Sequence, residues 1–198
     1  MSLNLNCLTP RLTTGYLNTQ NDAYPGMSVA GTGANINQYL GQMGQELQLN
    51  YESAAALSYT TTGTLYAGKY QYVKFKAGSS PARGLALYWD DRANYVVTTV
   101  TPSGDANFAG ICIMANTAGN YGWMQTEGDA VCQFKATLTK SAVAGDAVIL
   151  TTTANTFDVL ADATNVTWGT IKLMVGTAIE DPTNGGLKRV QIRPKPSF

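Results

Sequence analysis

Histidine is absent from this 198-residue sequence. Its absence removes the side chain that most often serves as general base or metal ligand, and with it every Ser–His or Cys–His nucleophile pair. The three cysteines, Cys7, Cys112 and Cys132, match neither a disulfide framework nor the spacing of a zinc site. Cys112 and Cys132 stand in apolar runs and are predicted to be small buried residues of strands. We therefore expect no catalytic residue, no metal site and no cofactor.

Charge is also scarce. Charged residues make up 13% of the chain, and 13 Lys and Arg balance 13 Asp and Glu. A neutral chain without clustered Lys and Arg predicts no binding to nucleic acid, which requires positive charge to displace counterions. Because near-neutral surfaces tend to associate, the composition suits a surface covered by partners; it equally suits one kept soluble by Thr, Asn and Gln.

Long apolar runs are missing as well. No stretch approaches the ~20 apolar residues of a transmembrane helix. The N-terminus has no basic segment followed by an apolar one, as a signal peptide would have. We expect synthesis in the cytoplasm and no association with a membrane.

Residues 1–50 differ in composition from the remainder, being rich in Asn, Gln, Gly and Thr. Apolar residues over 35–49 suggest a short helix, although its glycines oppose one. We predict an extended, mostly irregular arm that becomes ordered against a neighbour; a small irregular subdomain or a disordered tail is the alternative. The residues predicted to contact a partner are Tyr16, Tyr24, Ile36, Tyr39 and Leu40.

Residues 51–198 carry short runs rich in Val, Ile, Thr, Tyr and Trp, separated by turn signals. Such spacing predicts an all-β domain, either a small β-barrel or a β-sandwich. The predicted strands cover residues 70–76, 85–89, 95–100, 110–114, 121–125, 131–138, 147–150, 171–178 and 187–192.

Two acidic pairs are the candidates for carboxylate chemistry. Asp90-Asp91 follows an apolar strand and suits either a turn, a Ca²⁺ ligand or half of a glycosidase pair. Glu127-Gly-Asp129 stands between two predicted strands in the same way. The turn is the favoured interpretation of both.

Aromatic residues are the other candidates. They suit a hydrophobic core, anchors at a protein interface, or a platform on which a carbohydrate stacks. Strand alternation places Tyr121 and Trp123 on one face and Gly122 and Met124 on the other. The full set is Tyr88, Trp89, Tyr95, Tyr121, Trp123 and Trp168.

Five segments of the β-rich part carry a family resemblance. They are Gly84-Leu-Ala-Leu-Tyr-Trp-Asp-Asp, Ala109-Gly-Ile-Cys-Ile, Tyr121-Gly-Trp-Met-Gln, Gly128-Asp-Ala-Val and Ala144-Gly-Asp-Ala-Val-Ile-Leu. Over residues 60–195 the chain resembles the head decoration, or cement, proteins of tailed bacteriophages.

The resemblance implies a β-barrel or sandwich on the outer surface of a virion capsid. It implies a homotrimer that binds the major capsid protein, clamps adjacent capsomers and has no catalytic activity, and synthesis in the cytoplasm of the host. The alternatives are a tail, baseplate or head-fibre subunit, a carbohydrate-binding module using the aromatic residues above, and an enzyme that relies on carboxylates alone.

Overall fold

The computed structural model describes residues 43–51, 54, 65–101, 107–113, 115, 118–151, 154–160, 171 and 173–193. Ten β-strands run through this part of the chain and form one sheet in the order β1-β2-β4-β3-β5-β6-β10-β9-β7-β8, with a further pairing of β2 with β6. The strands are β1 (Glu46–Leu49), β2 (Gly68–Phe75), β3 (Ala86–Asp91), β4 (Val96–Thr98), β5 (Phe108–Cys112), β6 (Tyr121–Gln133), β7 (Ala147–Leu150), β8 (Phe157–Val159), β9 (Met174–Ala178) and β10 (Leu187–Ile192). The predicted all-β class is confirmed.

Five strands close into a small barrel. The pairing of β2 with β6 joins the two ends of the series β2-β4-β3-β5-β6, and β2–β4 is the parallel contact of this ring. All five strands contribute to one buried cluster, which contains Val73, Phe75, Leu87, Val97, Ala109, Cys112 and Met124. Closure removes the exposed edges that an open sheet of short strands would present.

The second half of the sheet extends from the same long strand. The last six residues of β6 pair with β10, and β9, β7 and β8 follow. Phe134, directly after β6, forms a parallel bridge with Phe157 of β8. The last strand of this half therefore returns to the segment that follows β6. Tyr88 and Ile111, from strands of the barrel, are buried in the core of this half. The two halves therefore share β6, and one buried cluster contains residues of both.

The first strand covers another part of the barrel. Leu47 and Leu49 of β1 are buried with Tyr70, Tyr72 and Trp123, while the alternate residues of β1 are exposed. The helix predicted over 35–49 is wrong for Glu46–Leu49, because this period-two pattern suits a strand along the edge of β2. The sheet thus includes residues 46–49 of the segment predicted as an arm, and residues 1–42 of that segment lie outside those described.

The central strand departs most from the sequence prediction. Residues 121–125 and 131–138 were predicted as two strands with a turn at Glu127-Gly-Asp129, whereas β6 is one 13-residue strand through all three of those residues. Gly128, at a φ of 96°, faces Gly68, and the register of β2 against β6 shifts just beyond this pair, between Lys69 and Tyr70. A glycine pair allows the two backbones to approach closely and bend, so this acidic pair lies on a strand and the turn prediction for it is wrong.

Other predictions of strands are confirmed to different extents. The strands predicted at 147–150 and 187–192 agree with β7 and β10 at both ends. Phe157–Val159 was not predicted as a strand, because three residues with one central Asp give no detectable period.

Among the residues described, no helix has the length and hydropathy needed to span a membrane.

Candidate interaction surfaces

The five residues predicted to contact a partner, Tyr16, Tyr24, Ile36, Tyr39 and Leu40, lie outside the described residues. Trp168 and Cys7 lie outside them too. The surfaces that the structure does describe belong to the two halves of the sheet and to β1.

Most of the aromatic candidates are core residues. Trp123 is 2% exposed, and its ring meets that of Tyr72 edge-on, with the centroids 5.3 Å apart. Tyr121, on the same face as Trp123 as predicted, stacks on the other side of the cluster at 6.4 Å from Tyr72. Tyr88 is fully buried. Neither Tyr88 nor Trp123 can therefore serve as an open platform for a carbohydrate ring.

Trp89 and Tyr95 occupy one end of the barrel. Both are half-buried, and their rings meet edge-on at 6.4 Å. Tyr95 has a φ of 53°, and its ring lies over Gly44, where a Cβ would stand 2.2 Å from the ring. This contact fixes the start of β1 against the hairpin between β3 and β4.

Asp90 and Asp91 are the last two residues of β3, and the predicted Asx turn follows them over residues 92–95. Asp91 accepts hydrogen bonds from the backbone N–H of Asn94 at 3.2 Å and from its Nδ2 at 2.7 Å. These bonds to Asn94 lower the pKa of the Asp91 carboxyl. Asp90 pairs with Lys76, its Oδ1 lying 2.5 Å from Nζ. Both carboxylates thus brace the β3–β4 hairpin.

Asp158 is the most buried carboxylate among those described, at 5% exposure. Burial alone would raise its pKa, but Lys135 and the hydroxyl and backbone N–H of Thr139 hold the pKa below its ordinary value. The Lys135 Nζ lies 2.5 Å from Oδ2. This group ties the segment that follows β6 to β8. Within the described ranges, no three His, Cys, Asp or Glu side chains come together as a metal site.

Cys112 and Cys132 are buried residues of β5 and β6, as predicted. Burial raises the pKa of the Cys132 thiol well above its ordinary value. A thiol in this state is poorly nucleophilic, which suits a packing role.

One polar and aromatic surface was missed by sequence reasoning. Ala130 and Cys132 point into the core, so Asp129 points outward from β6, as do Arg189 and Gln191 from β10. Tyr51 stands over this surface and donates a hydrogen bond from its hydroxyl to Asp129 Oδ2 at 3.3 Å. The ring of Tyr66 lies 5.4 Å from the Arg189 guanidinium. We call these five residues the Tyr51 face.

Ion pairs flank the Tyr51 face. Arg189 Nε lies 2.5 Å from Glu180 Oε1, and Lys69 Nζ lies 2.6 Å from Glu127 Oε2. The hydrogen bond to Arg189 lowers the pKa of Glu180. A small depression adjoins the face; Tyr66 and Val131 are among its lining residues, and it reaches the buried Ile111. The alternation of β6 around Ala130 and Cys132 would have identified the outward residues, had the strand been predicted as continuous.

No protein-family model matches the chain, and no curated protein matches it. Among solved structures, the chain is similar to the crystal structure of the N base of head fiber gp8.5 in bacteriophage phi29. The match has 13% sequence identity, covers 63% of this chain and 94% of that chain, and has a TM-score of 0.43. A TM-score of this size does not establish a shared topology, so the functional proposals rest on the residues of this chain.

Proposed function

We propose that the chain is a non-catalytic structural protein of a tailed-phage virion, which decorates the outer surface of the capsid. In this role it binds the major capsid protein as a homotrimer and clamps adjacent capsomers. The segments that resemble phage decoration proteins carry the proposal. They cover β3, much of β6, most of β5, and β7 with the turn before it. Residues of these four strands belong to the buried cluster that both halves of the sheet share.

The use of the acidic side chains supports a structural role. Asp90, Asp158 and Glu180 each pair with a basic side chain. Asp146 pairs with Lys140 and accepts the backbone N–H of Val143 in the turn before β7. A carboxylate that holds a turn or joins two strands through an ion pair loses that contact on protonation, which suits a scaffold better than an acid–base pair.

The shape of the fold also suits a decoration protein. Two small closed or nearly closed β structures on one long strand give a rigid body with few open edges. A rigid body loses little conformational entropy on docking, so more of the contact energy remains for binding. The balanced charge of the chain adds no long-range repulsion between copies packed on one surface.

The decisive experiment is addition of the purified chain to undecorated phage heads, followed by cryo-electron microscopy. The proposal expects knobs of density at three-fold and quasi-three-fold positions on the head. It also expects a solution mass of three times the 21.1 kDa of one chain. A monomeric mass together with no attachment to heads would contradict the proposal. Density on a tail or at the base of a fibre would instead favour a tail or head-fibre subunit.

A deletion tests the predicted arm separately. Removal of residues 1–40 leaves every strand from β1 onward in place. We expect the shortened chain to keep its β circular-dichroism spectrum and to lose affinity for heads, because one of two linked contacts is gone. Unchanged affinity would remove the arm from the contact, and unfolding would assign it to the core.

A further inference from the structure

We propose that the Tyr51 face is a binding site for a neutral saccharide, a function beyond attachment to a capsid. The face combines an exposed aromatic ring with a carboxylate, an amide and a guanidinium on two adjacent strands. Asp129 lies opposite Gln191 in the β6–β10 register. Arg189 is two residues before Gln191 and lies on the same side of β10. These groups therefore share one flat surface.

The ring of Tyr51 is the first element of the site. It is 68% exposed, the highest value among the large apolar side chains described. Its hydroxyl donates to Asp129, which fixes the ring above the sheet while the ring surface stays open to solvent. One face of a pyranose presents C–H groups, and an open aromatic ring is the surface on which such a face stacks.

The planar polar groups are the second element. Vicinal sugar hydroxyls both donate and accept, so they suit neighbouring groups that offer acceptors and donors in fixed planes. Asp129 supplies acceptors, Gln191 supplies both, and Arg189 supplies donors. The ion pair of Arg189 engages Nε, and the Tyr66 ring supports the guanidinium from one side. The guanidinium has five N–H donors in all, which exceeds the needs of that pair.

The charge of the surface selects the class of sugar. Arg189 is balanced by Glu180 and Lys69 by Glu127, and the negative charge of Asp129 is offset by the exposed Arg193, two residues after Gln191. A surface without excess positive charge gives no attraction to phosphate, sulfate or uronic acid groups. The depression beside Tyr66 is too small to enclose a sugar ring, so a bound sugar chain would lie along the surface.

The test uses the full chain and a glycan array that holds neutral and anionic oligosaccharides, with titration calorimetry on each retained glycan. We expect retention of neutral glycans that does not weaken as salt is raised. Tyr51→Ala should weaken binding about ten-fold or more, because it removes one aromatic contact and releases the groups that the ring positions. Gln191→Ala should weaken binding to a similar degree. Val143→Ala, at a side chain 57% exposed in the turn before β7, is the matched control and should bind as the unaltered chain does.

Three results would overturn the proposal: no glycan retained by the unaltered chain, retention of anionic glycans only, or equal binding by the Tyr51→Ala and Val143→Ala variants. Thermal unfolding of each variant accompanies the binding assay. If Tyr51→Ala is unstable, two other variants decide the outcome. Tyr51→Phe keeps the ring, and Gln191→Ala removes only an exposed amide. No phage head enters the assay, so its failure is distinct from failure of the structural role.

Discussion

The close approach of β2 and β6 at Gly128 and Gly68 gives a sharp test of the fold. A Cβ at Gly128 would lie 2.3 Å from the carbonyl oxygen of Ala67 and 2.5 Å from the Cα of Gly68. Gly128 also has a φ of 96°, which L side chains rarely adopt. Both obstacles are backbone atoms, so no side-chain rotation relieves them. Gly128→Ala therefore forces the two strands apart where the long strand bends.

The magnitude has two parts. An L residue in the left-handed region costs roughly 1–2 kcal/mol. Overpacking adds roughly 1–3 kcal/mol, because the 2.3 Å contact must open to at least the 3.0 Å below which real Cβ contacts are essentially never found. Gly78→Ala measures the backbone cost alone, because Gly78 has a φ of 81° and no other atom lies within 4 Å of the position that a Cβ would take. We expect a loss of about 1 kcal/mol for Gly78→Ala and about 3 kcal/mol or more for Gly128→Ala.

Urea unfolding of both variants, followed by circular dichroism, measures the two losses. Thermal unfolding should give a matching order, with about 2–4 °C per kcal/mol for a chain of this size. The reasoning fails if the two variants lose the same stability, because the clash at Ala67 and Gly68 would then contribute nothing. It also fails if Gly128→Ala is as stable as the unaltered chain, which would mean that β6 does not bend there.

Three further predictions address the core and the buried charges. Trp123→Ala should lower the free energy of unfolding by about 3–5 kcal/mol, since the ring fills the cluster under β1; unfolding in urea measures this, and a loss below 1 kcal/mol would contradict the core role. Asp158→Asn should destabilise the chain at pH 7. Because the folded-state pKa of Asp158 is lowered, its contribution is present above the unfolded value of about 4 and is lost as the pH falls through the folded value. The difference in Tm between Asp158→Asn and the unaltered chain should therefore shrink below pH 4, and a difference that stays constant with pH would rule out the charge as its cause. Cys132 should resist alkylation by iodoacetamide until the chain unfolds, as mass spectrometry of a timed reaction would report; rapid modification in the native state would contradict its burial.

The sequence predicted the fold class because strand formation here depends on local patterns. Leu187–Ile192 and Ala147–Leu150 alternate or run apolar between turn residues, and both strands appear where those patterns stand. The Asx turn after β3 was equally local, since Asp91 bonds to a residue three positions along. The burial of Cys112 and Cys132 followed from their apolar neighbours in the sequence.

The tertiary structure decided what depends on distant partners. Gly128 signals a turn in the sequence, yet Gly68 opposite it converts that position into a bend within one strand. The alternation of Glu46–Leu49 suits a strand, but that this strand lies along the edge of β2 depends on a partner about twenty residues away in the chain. Closure of the barrel rests on the pairing of β2 with β6, about fifty residues apart in the chain.

The Tyr51 face illustrates the same division. The sequence alone offers two tyrosines, an aspartate, an arginine and a glutamine scattered over 141 positions, from Tyr51 to Gln191 inclusive. Only the antiparallel register of β6 and β10 brings Asp129 opposite Gln191, and only the hydrogen bond from Tyr51 places its ring above them. Composition and alternation determine that strands form, because those are properties of neighbouring residues. Which side chains meet on one surface depends on register, because a shift by a single residue would turn every one of them to the opposite face.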